Sequence, residues 1–222
     1  MLNYEVVDGV AEIKIDDSKM NAFSHELLEL IEEAFTKAET DDVVKVIQVM
    51  GNAKAFSAGF DLNEIKKGPE EMKRLVLRGM RFGKRIFLNE KPIVLVSHGH
   101  TLAMGAILFL AADYRVGIEN PKAKVGLNES LIGITMPQFA VELARFRLSP
   151  AYIGRSLLKA EIYDMPKAKE VGYFDSVVSQ ADSDSFLKEL TESYKALNSK
   201  AYKATKMRLR SSVISSVNME EI

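Results

Sequence analysis

Residues 54–65 read KAFSAGFDLNEI, a buried segment that breaks into small residues before it turns helical. Ser57, Ala58 and Gly59 leave room for backbone to come close to a ligand, and glycine accepts conformations that other residues avoid. The strand feeding this turn is VVKVIQVM at 43–50, apolar on both faces as in a sheet interior. A second stretch repeats the design. IVLV at 93–96 is a buried strand, SHGHTLAMG is a Gly-containing turn, and the helix that follows has no polar face and belongs inside the protein. A helix start leaves backbone N–H groups without partners, and two that converge would hold a carbonyl oxygen gaining negative charge. Spacing alone leaves a second reading open, in which both are tight turns whose glycines serve packing. Neither turn is a phosphate loop, because no GxxxxGK and no GxGxxG occurs.

Outward from these turns, strand and helix alternate. Residues 2–7 and 10–15 form a hairpin around Asp8-Gly9. Ser24 caps a helix with Leu27, Ile31, Ala34, Phe35 and Ala38 on one face. Pro69 opens a second helix, in which Met72, Met80 and their apolar neighbours read as core, and Lys91-Pro92 ends it. YRVGI at 114–118 and KVGLNES at 124–130 supply further strands. Ser149-Pro150 starts one helix, Asp164 starts another that Gly172 ends, and FDSVV at 174–178 is a short last strand. From about residue 183 the pattern is one polar amphipathic helix to about Leu209. The class is α/β, and open α/β arrangements place ligands at strand ends.

Composition narrows the functions. Thirty Lys and Arg against 31 Asp and Glu give a net charge of -1, so no long-range field favours nucleic acid or an anionic membrane. The absence of cysteine excludes thiol nucleophiles, disulfides and thiolate metal sites. Three histidines without HExxH spacing argue against a metal site. The longest apolar run, LAMGAILFLAA at 102–112, falls well short of the roughly 20 residues that span a bilayer. The first ten residues, MLNYEVVDGV, carry charge and no signal-peptide core, so the expectation is a soluble cytoplasmic protein. Ser57 and Ser130 lack a GxSxG elbow. His98 and His100 either line a pocket or cap loop backbone, and Asp113 and Arg115 read as a structural pair.

KAFSAGFDLNEI, GHTLAMGAILFLAADYRVG, VGLNESLIGITMP and KATKMRLR resemble, in order and spacing, the crotonase family of enoyl-CoA hydratases and isomerases. The resemblance runs from MNAF at 20–23 to about residue 210. It implies a spiral of ββα units over residues 1–196 carrying an acyl-CoA site, with a shortened C-terminal helical segment over 197–222. It also implies assembly as a homotrimer or as a hexamer of two trimers, with no cofactor or metal beyond the coenzyme A that carries the substrate. The backbone N–H groups of Phe60 and Met104 would form an oxyanion hole. Ala55, Ser57, Ala58, Gly59, Asp61, Leu62, Asn63 and Ile107 would surround the acyl-CoA, with Lys54, Lys66 or Lys67 as phosphate neighbours.

The family's hydratases hold water with two glutamates. Here Ile107 stands where the first would be, and Glu129 stands where the second would be. One base can take a proton from the carbon beside a thioester and return it two carbons along, so the resemblance implies double-bond isomerisation by Glu129. Two alternatives remain: hydration of a 2-enoyl-CoA if another group holds the water, and a non-catalytic acyl-CoA-binding or scaffold protein. The bland reading of Glu129 is a solvated loop carboxylate.

Overall fold

A computed structural model describes residues 1–216. Strands β1 (Leu2–Val7) and β2 (Val10–Ile15) form the expected hairpin, turning on Asp8 and Gly9, both at positive φ (48° and 79°). Helix α1 (His25–Thr40) starts where Ser24 accepts a hydrogen bond from Leu27 N, and its apolar stripe is buried. β3 (Val46–Met50) is shorter than the expected 43–50, because Asp41 turns the chain by accepting from Val43 N and leaves Val43 exposed.

The middle of the chain then repeats one unit. A strand joins a large sheet, a short strand joins a small one, and a helix follows. β3 is followed by β4 (Ala55–Ser57), α2 (Leu62–Ile65) and α3 (Pro69–Leu88). β5 (Ile93–Ser97) is followed by β6 (His100–Leu102) and α4 (Met104–Ala111). β7 (Tyr114–Ile118) is followed by β8 (Val125–Gly126), a 3-10 turn over Glu129–Ile132, and α5 (Gln138–Arg147). α6 (Ile153–Leu157), α7 (Met165–Val171) and β9 (Ser176–Val178) close the large sheet, whose order is β1-β2-β3-β5-β7-β9. All its pairings after the hairpin are parallel, and β4-β6-β8 form a second parallel sheet.

Every residue of α4 is buried, as its lack of a polar face requires. Phe109 meets Phe56 edge-on at 4.8 Å and Phe174 at 5.5 Å, and such pairs add about 0.5–1.5 kcal/mol each beyond their burial. Gly105 lets α4 lie on β4, since a Cβ there would stand 2.8 Å from the Ser57 carbonyl oxygen. The core element therefore fixes the turns at both of its neighbours.

Three further expectations are corrected. The helix expected from 183 onward is two helices, α8 (Ser183–Lys195) and α9 (Ser199–Ser216). Asn198 divides them: its side chain accepts from Ala201 N and its carbonyl from Tyr202 N, so it caps a new helix inside a continuous polar pattern. Asp113 and Arg115 do not pair with each other. Arg115 pairs with Asp175 at 2.7 Å, while Asp113 accepts from Lys206 at 2.6 Å and Arg210 at 2.8 Å. Those two cations tie α9 beneath the end of α4. Ser149 makes no side-chain cap, and Pro150–Tyr152 is a 3-10 turn leading into α6.

Candidate active site

A cleft of about 320 Å³ opens where the two Gly-containing turns meet α3 and the 3-10 turn. Of the expected site residues, Ala58, Phe60, Asp61, Leu62, Ile107 and Glu129 line it. Ala55 and Ser57 are fully buried in β4, behind the cleft wall, and Asn63 is exposed on α2 outside it. Ile65, Val76, Met80, Ala103, Asn128 and Ile134 also line the cleft, and none was singled out from sequence as a site residue. Val76 and Met80 belong to a stripe that reads as ordinary core, so their position was not readable from periodicity.

The first turn is held by Ser57, whose hydroxyl accepts from Gly59 N at 3.1 Å, and by Phe23, which bridges to it through Phe23 N to Gly59 O and Asp61 N to Phe23 O. Gly59 has φ 101°, and a Cβ there would stand 2.8 Å from the Ala103 Cβ. The second turn passes through Ala103 at φ 48° and ψ -124°, a conformation that costs a non-glycine residue of order 1–3 kcal/mol. Each of these positive-φ residues thus precedes one of the expected donors, Phe60 and Met104. Among the described residues neither the Phe60 nor the Met104 N–H donates to a protein acceptor. The Met104 nitrogen lies 3.7 Å from where a Gly59 Cβ would stand, so the two turns converge.

Glu129 opens the 3-10 turn that Gly133 ends in the left-handed conformation. It is 5% exposed, so the solvated-loop reading does not hold. Burial pushes its carboxyl from an ordinary 4.5 up to about 7, and its Oε2 has no hydrogen-bond partner among the described residues. Asp61 also borders the cleft, but its carboxylate caps α2 by accepting from Asn63 N at 2.7 Å.

The remaining candidates are structural. His100 Nδ1 accepts from Lys124 N, the His98 carbonyl accepts from Asn120, and neither histidine lines the cleft. Lys54 donates to the Ser18 carbonyl, and Lys67 pairs with Glu64 at 2.6 Å. His25, Glu64 and Glu71 bring ligand atoms within 4.8 Å of one another, yet Lys67 and Arg74 already pair with the two carboxylates. A larger groove of about 800 Å³ lies at the opposite ends of α1 and α3. Most of its cations are committed, Arg85 to Glu39, Lys91 to the Ala38 and Asp41 carbonyls and Lys203 to Glu90, so it offers no poised chemistry. Among the described residues no helix is long and apolar enough to cross a membrane.

The enoyl-CoA hydratase/isomerase family model matches residues 5–221. Mitochondrial enoyl-CoA delta isomerase 1 of Mus musculus is 27% identical over 204 residues, 91% of this chain and 71% of that protein. A probable enoyl-CoA hydratase of Bacillus subtilis is 37% identical over 147 residues, 65% of this chain and 54% of that protein. The crystal structure of an enoyl-CoA hydratase/isomerase family protein from Pseudomonas syringae superposes with a TM-score of 0.91 at 33% identity, covering 97% of this chain and 92% of that one. With its ββα spiral, its paired turns and this match along nearly its whole length, the chain belongs to the enoyl-CoA hydratase/isomerase family, the crotonase superfamily of enzymes.

Proposed function

We propose that the protein moves the double bond of a 3-enoyl-CoA to the 2-position, with Glu129 as its single acid–base group. The observation that carries this reading is that, among the described residues, Glu129 is the one titratable side chain lining the cleft that is not committed to a structural bond; Ile107, at the position where the resemblance puts the hydratases' other glutamate, is an apolar part of the same wall. The Glu129 carboxylate takes a proton from C2. The C2–H electrons pass into the thioester, whose oxygen becomes an enolate; when the C=O bond re-forms, the C1=C2 electrons shift to C2=C3 and the C3=C4 electrons take the proton back from Glu129 at C4. The Phe60 and Met104 N–H groups hold the thioester oxygen as it becomes an enolate, each donor supplying about 3–4 kcal/mol. A carboxyl titrating at about 7 suits a group that must both accept and return a proton near neutrality.

The mouse relative bears an isomerase name and the B. subtilis relative a hydratase name, so the choice of reaction rests on Ile107 and Glu129. Coenzyme A enters as the carrier of the substrate, held against Ala58, Gly59, Asp61 and Leu62, and this route uses no other cofactor and no metal. A cytoplasmic homotrimer or hexamer acting on fatty acyl thioesters completes the proposal. The competing reading, a non-catalytic acyl-CoA-binding protein, leaves the raised carboxyl of Glu129 without a purpose.

Following the conversion of 3-enoyl-CoA across pH tests the assignment. The log of kcat/KM is expected to climb with unit slope to about pH 7, where the free carboxyl titrates, and then to level off. A profile flat from pH 5 to 8 would sink Glu129 as the base. Gly59→Ala tests the oxyanion hole: a Cβ there meets the Ala103 Cβ at 2.8 Å in a backbone conformation foreign to alanine, so the Phe60 N–H must move. Loss of one such donor lowers kcat by about 10²–10³-fold. Unchanged turnover in a folded Gly59→Ala protein would remove the hole from the mechanism.

A further inference from the structure

Gly79 stands in the middle of α3, where glycine weakens a helix relative to alanine. What lies against it explains its place. A Cβ there would stand 2.5 Å from Phe60 Cζ, 2.7 Å from Phe60 Cε1 and 3.2 Å from Met104 Cε. The two residues expected to donate to the thioester oxygen therefore rest their side chains on one bare patch of helix backbone. Val76 and Met80, three residues before and one after, are buried on this side of α3 and line the cleft together with Phe60. Isomerisation uses only the backbone of Phe60, so its ring is a part of the cleft wall that the reaction itself leaves unexplained. The cleft measures about 320 Å³, and at ~30 Å³ for each water-sized group that is room for about ten non-hydrogen atoms. The thioester sulfur and oxygen take two of those places, which leaves about eight for acyl carbons.

Resting on the isomerase reading of this cleft, we propose that the Phe60 side chain, seated on Gly79, sets the acyl length, so that thioesters of up to about eight carbons are preferred over longer ones. Phe60 is the specificity residue through its ring, and Gly79 is the positioning residue that lets the ring withdraw onto α3. A methyl group at position 79 would push the ring off the helix, and because α3 backs the ring, it yields toward the cleft. Loss of the ring would open the wall as far as the α3 backbone. The Met104 thioether that shares the glycine is a flexible chain end and gives way more easily than a ring.

The test gives wild type, Phe60→Ala, Gly79→Ala and the double variant 3-hexenoyl-CoA and 3-decenoyl-CoA, and measures kcat/KM for each. Calorimetry with the saturated hexanoyl and decanoyl thioesters reads the same preference without turnover. Each methylene taken from water into an apolar pocket is worth about fourfold. Phe60→Ala is expected to raise the ratio of decenoyl to hexenoyl by about 15- to 60-fold, as two or three more methylenes find room. Gly79→Ala is expected to lower that ratio by about fourfold or more, and removing the ring in the same protein should bring it back to the Phe60→Ala value. A merely structural role for Gly79 would lower both substrates alike, and a ratio within one protein is not mimicked by partial unfolding. Wild type that favours the decenoyl thioester, or a ratio equal in wild type and Phe60→Ala, overturns the inference and leaves the isomerase reading standing. If wild type moves the double bond of neither thioester, the isomerase reading falls, and the binding ratios alone decide whether the ring sets the length.

Discussion

Glu129→Gln is expected to lose turnover of 3-enoyl-CoA by about 10²–10⁴-fold, the contribution of a positioned acid–base group, while keeping its fold and its affinity for the thioester. The substitution preserves the shape of a side chain that is 5% exposed and removes only its capacity to carry a proton. It should also stabilise the protein in neutral solution. In the unfolded chain the carboxyl ionises near 4.5, whereas in the folded protein it stays protonated up to about 7. Between those values the folded state binds more protons than the unfolded one, so this group's contribution to stability falls as pH rises through the window and stays low above it. Urea denaturation at pH 5 and pH 8 should therefore show Glu129→Gln gaining on wild type at the higher pH. Full activity in Glu129→Gln would show that another group is the base, and lost activity together with lost thioester binding would point to a structural role.

Asp113→Ala should cost about 3–5 kcal/mol of stability, the penalty for breaking a buried ion pair and leaving its partners uncompensated. Asp113, Lys206 and Arg210 have side-chain exposures of only 7%, 4% and 3%, so water cannot replace the missing carboxylate. The same carboxylate accepts from Ile93 N at 2.8 Å, which links α9 to the start of β5. Arg210 also donates to the carbonyls of Phe87 and Ala112 and stacks on the Phe87 ring at 4.3 Å, so it stays in place with its charge unanswered. Faster hydrogen exchange over residues 199–216 should accompany the loss, since α9 is the element these cations anchor. A denaturation midpoint that implies less than about 1 kcal/mol would mean the triad is worth no more than a surface pair.

What the sequence made legible was local. Asp8-Gly9, the Ser24 cap and the helix between Asp164 and Gly172 each depend on neighbours within a few residues, and each is found where expected. The partner of Asp113 was not legible, because Lys206 and Arg210 lie more than ninety residues away and only the fold brings them together. Arg115 was the nearer cation in sequence, yet it turns to Asp175. The break at Asn198 was hidden because a capping asparagine and a polar surface residue look alike within a long polar pattern. In the cleft, Ala58 could be named because a Gly-containing turn announces a close approach, whereas Phe60, Asp61 and Leu62 were named only through the resemblance to the crotonase family. Ala55 and Ser57 sit in the adjoining strand with no face toward the cleft. The positive φ of Ala103 left no trace, since nothing in an alanine signals a strained backbone.

The most direct test of the account is the incubation of the wild-type protein with a 3-enoyl-CoA in deuterated water, following the position of the double bond and the deuterium content by mass spectrometry. The account predicts a 2-enoyl-CoA product, with deuterium entering at C4 to the extent that the proton on Glu129 exchanges with solvent before it is returned. A substrate that binds the protein and is recovered with its double bond unmoved would contradict it.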